Sequence, residues 1–157
     1  MAFTAGQKVR ASDLNALSNG LVEDLTRTAN SAGGITTTET VLDYVTAVLT
    51  AGRTYLLKWE GDMSGASANS TFGFRVRYIA AASLTVAGST LVRRKIWEIK
   101  AFGTHEPQFV SGKFVAPTTD TYSVGVSVVR LLGTGSVTGF AGADNETTTE
   151  LFDITKP

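Results

Sequence analysis

The only histidine is the first place to look for chemistry. His105 stands in Thr104-His105-Glu106-Pro107. A Ser-His-Asp triad needs an imidazole to take the proton of a nucleophile held beside it. No Gly-x-Ser-x-Gly turn supplies that nucleophile, so a surface-loop histidine is the simpler reading. As a metal ligand His105 would have only carboxylates for company, since the chain contains no cysteine. Carboxylate pairs are the alternative. Glu60 with Asp62, Glu98 with Glu106, and Asp144 with Glu146 are the residue types that split a glycosidic bond as acid and base. Each pair is also what a solvated strand face or loop tip looks like. Asp144-Asn145-Glu146 lacks the regular ligand spacing of a calcium loop. The glycines of Gly133-Thr134-Gly135-Ser136-Val137-Thr138-Gly139 follow no phosphate-binding pattern, and no Gly-Lys-Ser/Thr occurs. The expectation is therefore no catalytic, cofactor-binding or metal-binding residue, and no enzyme.

Binding is more legible than catalysis. Arg75, Arg77, Arg93, Arg94 and Lys95 form one positive patch if the two segments that carry them adjoin. Such a patch attracts an acidic polymer or an acidic partner surface. The plainer reading is a polar outer face balanced by Glu60, Glu98 and Glu106. Trp97 is the one aromatic not assigned to a core face, and an exposed indole can stack on a sugar. Arg75, Arg77, Arg93, Arg94 and Trp97 are thus the candidate ligand surface. Lys plus Arg equals Asp plus Glu, 14 each. A zero net charge argues against a general nucleic-acid binder, whose affinity comes largely from neutralised phosphates.

These residues are carried by a chain that reads as strands. Of its 157 residues 43% are hydrophobic, which suits one domain with a real core. Thr71 to Ala80 is the clearest strand. Phe72, Phe74, Val76 and Tyr78 point one way and Thr71, Arg75 and Arg77 the other, as in an antiparallel sheet with one wet face. Residues 41–49, 53–60, 109–116, 121–132, 137–141 and 147–154 read likewise. Residues 91–102 read as strand rather than helix. Residues 61–70 and 81–89 read as connections. About eight strands with turn signals between them predict an antiparallel β-sandwich, jelly-roll-like.

One segment departs from this. Ala11 to Leu25 places Leu14, Leu17, Leu21 and Leu25 three and four apart, with Ser12 as N-cap and Asp13 in the first turn. It predicts a short N-terminal α-helix, about 20 Å long, marginal alone and in need of a partner. Gly33-Gly34 lies in a polar stretch behind it. The expected organisation is an anchor segment and helix over 1–30, a Gly/Thr linker over 31–38, and the sandwich over 39–157. No apolar run is long enough to span a membrane. The opening lacks the order of a signal peptide, so synthesis in the cytoplasm without export is expected.

Two resemblances add to this. Phe3-Thr4-Ala5-Gly6-Gln7-Lys8-Val9-Arg10, running into Ala11-Ser12-Asp13-Leu14-Asn15-Ala16-Leu17, resembles the start of tailed-bacteriophage virion proteins. In minor tail proteins, fibres and accessory head proteins of that kind it precedes a β-rich domain. The ending Glu150-Leu151-Phe152-Asp153-Ile154-Thr155-Lys156-Pro157 is similar to the tail that closes many of them. Ser111-Gly112-Lys113-Phe114-Val115-Ala116-Pro117, followed by Thr121-Tyr122-Ser123-Val124, is similar to a strand pair of complement-type and tumour-necrosis-factor-like jelly rolls. Those trimerise, and in them the pair comes earlier in the chain. What the resemblances imply is a virion structural protein, anchored through Phe3, Leu14, Leu17, Leu21 and Leu25, contacting other virion proteins and displaying a homotrimeric sandwich. The rival is a carbohydrate-binding module that recognises a host-surface glycan. A glycan hydrolase working by carboxylates alone is a weaker one.

Overall fold

The computed structural model describes residues 20–31, 33–100, 103, 105–141 and 146–155. Alternating apolar and polar side chains give nine strands among them: β1 (Leu21–Arg27), β2 (Thr40–Leu49), β3 (Thr54–Gly65), β4 (Ser70–Ile79), β5 (Thr90–Ile99), β6 (His105–Val115), β7 (Asp120–Leu132), β8 (Val137–Phe140) and β9 (Thr147–Asp153). All pair antiparallel. One sheet runs β1-β9-β3-β6 and the other β2-β7-β4-β5. β8 and β9 follow one another along the same side of β3, β9 against residues 55–60 and β8 against 62–65. Consecutive strands mostly alternate between sheets, which is jelly-roll order.

The core lies between the inner faces. Tyr55, Leu57, Trp59 and Met63 of β3 meet Phe72, Phe74 and Val76 of β4 and Tyr122, Val124, Val126 and Val128 of β7. Trp59 packs at a tilt on Phe74, 5.7 Å between centroids, and Tyr78 stacks on Phe114 at 4.5 Å. A buried carboxylate staples the sheets together. Asp43 of β2, 4% exposed, accepts from Arg27 Nε of β1 at 2.8 Å and from Trp59 Nε1 of β3 at 2.9 Å. Both donors come from the opposite sheet, so the charge is paired and its oxygens are satisfied.

The expected helix needs correction where it can be seen. Residues 21–25 are strand β1, not helix, paired with β9 from Leu21↔Phe152 to Arg27↔Thr147. Two physical features decide it. The four-residue spacing of Leu21 and Leu25 is even, so it suits a strand as well as a helix. Pairing with β9 also satisfies backbone groups along the whole segment. Gly20 opens the strand at φ 70°, and a Cβ there would sit 2.2 Å from the Asp153 carbonyl oxygen. The expected helix over 11–19 lies outside the described residues. The first sandwich strand therefore begins at Leu21, ahead of residue 39 where the sequence pattern starts it. The stretch read as a linker follows β8: Ser31 N–H donates to Gly139 O, and Ile35, buried, bridges to Val137.

Candidate interaction surfaces

The two segments that carry the basic residues do adjoin, β4 pairing β5 with Arg75↔Arg94, but the five side chains do not make one free patch. Arg75 and Arg77 face outward on β4, as alternation requires, but neither is free. Glu39, just before β2, folds over them. Arg77 Nε donates to Glu39 Oε1 at 2.6 Å and Arg77 Nη2 to Oε2 at 3.1 Å. Arg75 Nη1 also pairs with Oε2, and the Ser127 hydroxyl of β7 donates to Oε1. Burial by itself raises the Glu39 pKa and is the largest single influence. The hydrogen bonds from Arg77 and Ser127, with the charges of Arg77 and Arg75, outweigh it and hold the carboxyl below its ordinary 4.5. This cluster is a clamp between the lead-in to β2 and the outer face of β4 and β7. Arg75 and Arg77 are corrected accordingly from ligand surface to clamp.

Trp97 needs correction too. It is 7% exposed, packed on Phe72 and Phe74 with centroids 6.3 and 6.2 Å away. Its Nε1 donates to Glu106 Oε2 at 2.7 Å. The register Phe72↔Trp97 fixes this, because paired residues share a face. Trp97 is core, and no sugar can stack on it. Its neighbour Ile96 is the residue that faces out, 60% exposed.

Arg93 and Arg94 stay exposed on β5. They point to opposite faces: Arg94 lies across from Arg75 on the outer face, and Arg93 leans toward β6 beside Ser111. Lys95 bridges the two sheet edges, its Nζ donating to Gln108 Oε1 at 3.2 Å and to Phe109 O at 3.0 Å. Two shallow hollows, about 380 and 180 Å³, run along this β5/β6 edge, and Arg93 lines both.

The outer face of the β1-β9-β3-β6 sheet is the surface that sequence reading missed. Register sets its side chains in rows across the four strands: Leu21, Phe152, Leu56, Lys113; then Asp24, Glu150, Lys58, Ser111; then Thr26, Thr148, Glu60, Phe109. A hollow of about 280 Å³ opens between them, lined by Glu60, Glu150, Lys58, Leu56 and Phe109 among others. Lys58 Nζ sits 4.6 Å from the centre of the Phe152 ring. The signal in the sequence was weak: Leu56 and Phe109 are apolar residues at outward positions.

Of the remaining candidates, His105 begins β6 and meets the Phe140 ring edge-on at 4.2 Å. Glu106 is taken up by Trp97. Among the described residues no three His, Asp or Glu side chains gather as a metal site. Leu21 is half-buried beside Phe152, and Leu25 is exposed at the sheet edge. Phe3, Leu14, Leu17 and Asp144 lie outside the described residues.

No family model matches this sequence, and no curated protein matches it. Among solved structures it is similar to the Eiger TNF from S. frugiperda, with a TM-score of 0.51 and 8% identity over 88% of this chain and 95% of that one. It also aligns with infectious bursal disease virus, Gx strain, at TM-score 0.35 and 14% identity over 86% of this chain and 35% of that one. A third is the N-terminal cellulose-binding domain of Cellulomonas fimi β-1,4-glucanase C, at TM-score 0.31 and 18% identity over 89% and 82%. The first shares the fold, and its low identity supports nothing more. The other two overlap too loosely to carry an argument.

Proposed function

We propose that this chain is a non-enzymatic structural protein of a bacteriophage virion, a minor tail, fibre or head-decoration component. Its N-terminal segment anchors it to the particle, and its jelly roll is displayed outward as a homotrimer. The observation that supports this most is where the chain enters the sandwich. The phage-like opening leads into Gly20, whose carbonyl accepts the Asp153 N–H at 2.7 Å. Asp153 belongs to the phage-like ending. The chain therefore enters the sandwich at Gly20 beside the phage-like ending, and an anchor joined ahead of Gly20 leaves the other surfaces clear for display. The test is electron microscopy of the source particle with a label on the chain. Density for the intact chain at the particle surface, in threefold sets, is expected; particles lacking it overturn the reading.

A carbohydrate-binding module is the second reading, and one observation favours it. Phe109 is 55% exposed beside Glu60 and Glu150, an aromatic face with acceptors for sugar hydroxyls. Binding of full-length protein to host surface polysaccharide, abolished by Phe109→Ala, is the result that would support this reading over the first.

A further inference from the structure

Three hollows adjoin across strand β6. The first, about 280 Å³, lies on the outer face of the β1-β9-β3-β6 sheet. The other two, about 380 and 180 Å³, lie over the edge between β6 and β5. Phe109 and Val110 line the first and the smallest, Leu56 the first and the largest, and Ser111 all three. They are therefore parts of one track that crosses the strand. Its chemistry changes along the way. On the sheet face Glu60 and Glu150 offer acceptors, and neither has an ion pair among the described residues. Lys58 stands beside them, its Nζ drawn to the Phe152 ring 4.6 Å away. Over the edge stand Arg93, Arg94 and Lys113, also without an ion pair among the described residues. Among the described residues no carboxylate lines either edge hollow, and Glu98 of β5 lines neither. Exposed Phe109 stands on the crest between the two chemistries.

We propose that this track binds an acidic polysaccharide in which carboxylate-bearing sugars alternate with neutral ones. This rests on the carbohydrate-binding reading above, names its ligand class, and applies equally to a domain displayed on a particle. The mixed lining selects the ligand. Guanidinium groups pair with carboxylates through parallel hydrogen bonds, and a neutral glucan leaves Arg93 and Arg94 without such a partner. Glu60 and Glu150 accept from hydroxyls, so a neutral ring suits the sheet face. The C–H face of a pyranose suits the electron-rich face of the Phe109 ring. A nucleic acid carries a charge at every residue and would set phosphates against Glu60 and Glu150. A peptide adding a strand to β6 would need its edge N–H and C=O groups. Pro107 has no N–H to offer, and Phe109 O already accepts from Lys95 Nζ at 3.0 Å.

The test is isothermal titration calorimetry of full-length protein with fragments of hyaluronan and of unsulfated chondroitin, which alternate acidic and neutral sugars. Dextran is the neutral comparison, and polyglutamate the acidic polymer that is not a sugar. Binding to an alternating polysaccharide is expected. Phe109→Ala, and separately Arg93→Ala with Arg94→Ala, should each weaken it at least ~10-fold. All three side chains are exposed, so the fold is kept. Ile96→Ala, exposed but outside the three hollows, should leave binding unchanged. Affinity should fall as salt rises from about 0.05 to about 0.5 M, and the effect of Phe109→Ala should persist there. Binding that neither set of substitutions weakens overturns the track. Dextran bound as tightly as hyaluronan overturns the acidic class and leaves the carbohydrate reading standing. Polyglutamate bound equally well, with no effect of Phe109→Ala, overturns the saccharide and leaves a plain anion patch. No binding to any of the polysaccharides overturns this site and the carbohydrate reading together, and leaves the virion reading standing.

Discussion

Removing the Glu39 carboxylate is the sharpest test of how the lead-in to β2 is held on the outer face of β4 and β7. The Glu39 side chain is 10% exposed, that of Arg77 10% and that of Arg75 18%. Glu39→Ala leaves two guanidinium groups side by side without their counter-charge and takes the acceptor from the Ser127 hydroxyl. Breaking a buried pair by deleting one partner costs about 3–5 kcal/mol. Water reaches this cluster at its margin, so the lower end applies, about 3 kcal/mol. Glu39→Gln keeps the shape and one carbonyl acceptor but loses the charge, and about 1.5 kcal/mol is expected from weaker hydrogen bonds. Urea unfolding at one fixed protein concentration measures both, with an unchanged m-value as the sign that only stability moved. Adding Arg77→Met to Glu39→Ala should recover part of the loss, because an unpaired charge is removed with it. A cost below about 0.5 kcal/mol for Glu39→Ala, the range of an ordinary surface change, would refute the clamp.

Three further outcomes follow from the same geometry. The Glu39 carboxyl is held below its ordinary 4.5 in the folded chain, so its contribution is complete above that value and is lost as pH falls through the folded pKa; the difference in unfolding free energy between wild type and Glu39→Gln should shrink as pH falls below about 5. Phe74→Ala empties a site between Trp59 and Trp97 and should cost about 3–5 kcal/mol in urea unfolding, more than Arg75→Ala, which removes one arm of the clamp. Deleting residues 1–19 spares β1 and should leave a cooperatively folding sandwich that no longer joins particles lacking this component, as read by co-sedimentation. Deleting residues 1–30 removes β1 and the Arg27 partner of Asp43, and should also lower the unfolding midpoint.

The strands that the sequence displayed best were those with one wet face. Thr71 to Ala80 alternates without a break, and β4 covers Ser70–Ile79 with Phe72, Phe74 and Val76 inside. Residues 61–65 were hidden because Gly61, Asp62, Ser64 and Gly65 have no strand preference of their own. They are strand because β6 pairs with them on one side and β8 on the other. His105 to Gln108 reads as a loop on account of Pro107, which a sheet tolerates at its edge; β6 is that edge. The helix over residues 21–25 failed because local spacing was even and the decisive partner, β9, lies more than a hundred residues on. The site shows the same division. Alternation put Arg75 and Arg77 on the outer face, but their partner Glu39 is 36 and 38 residues away, beyond the reach of any local pattern. Trp97 and Ile96 are adjacent, so one must face in and the other out. Only the register with Phe72 and Gly73 says which.

If the chain is held to a particle through its N-terminal segment, any force on the displayed domain reaches the sandwich at Gly20 and passes into β1. That strand lies at a sheet edge and is paired on one side only, to β9. An edge strand with a polar, solvent-facing surface is the easiest to peel away. Two features oppose this. The β1–β9 ladder runs along the strand, from Leu21↔Phe152 to Arg27↔Thr147, so a pull along the strand loads its hydrogen bonds together rather than one after another. At the far end Arg27 reaches across the core to Asp43 of the other sheet, and Asp43 is held in turn by Trp59 of β3. The buried ion pair is costly to assemble, since both groups must leave water, but once made it ties β1 to β2 and β3 at once. A substitution such as Asp43→Ala would leave Arg27 and the Trp59 N–H unpaired together. The staple sits where an anchored domain needs it, at the inner end of the one strand through which the anchor is joined.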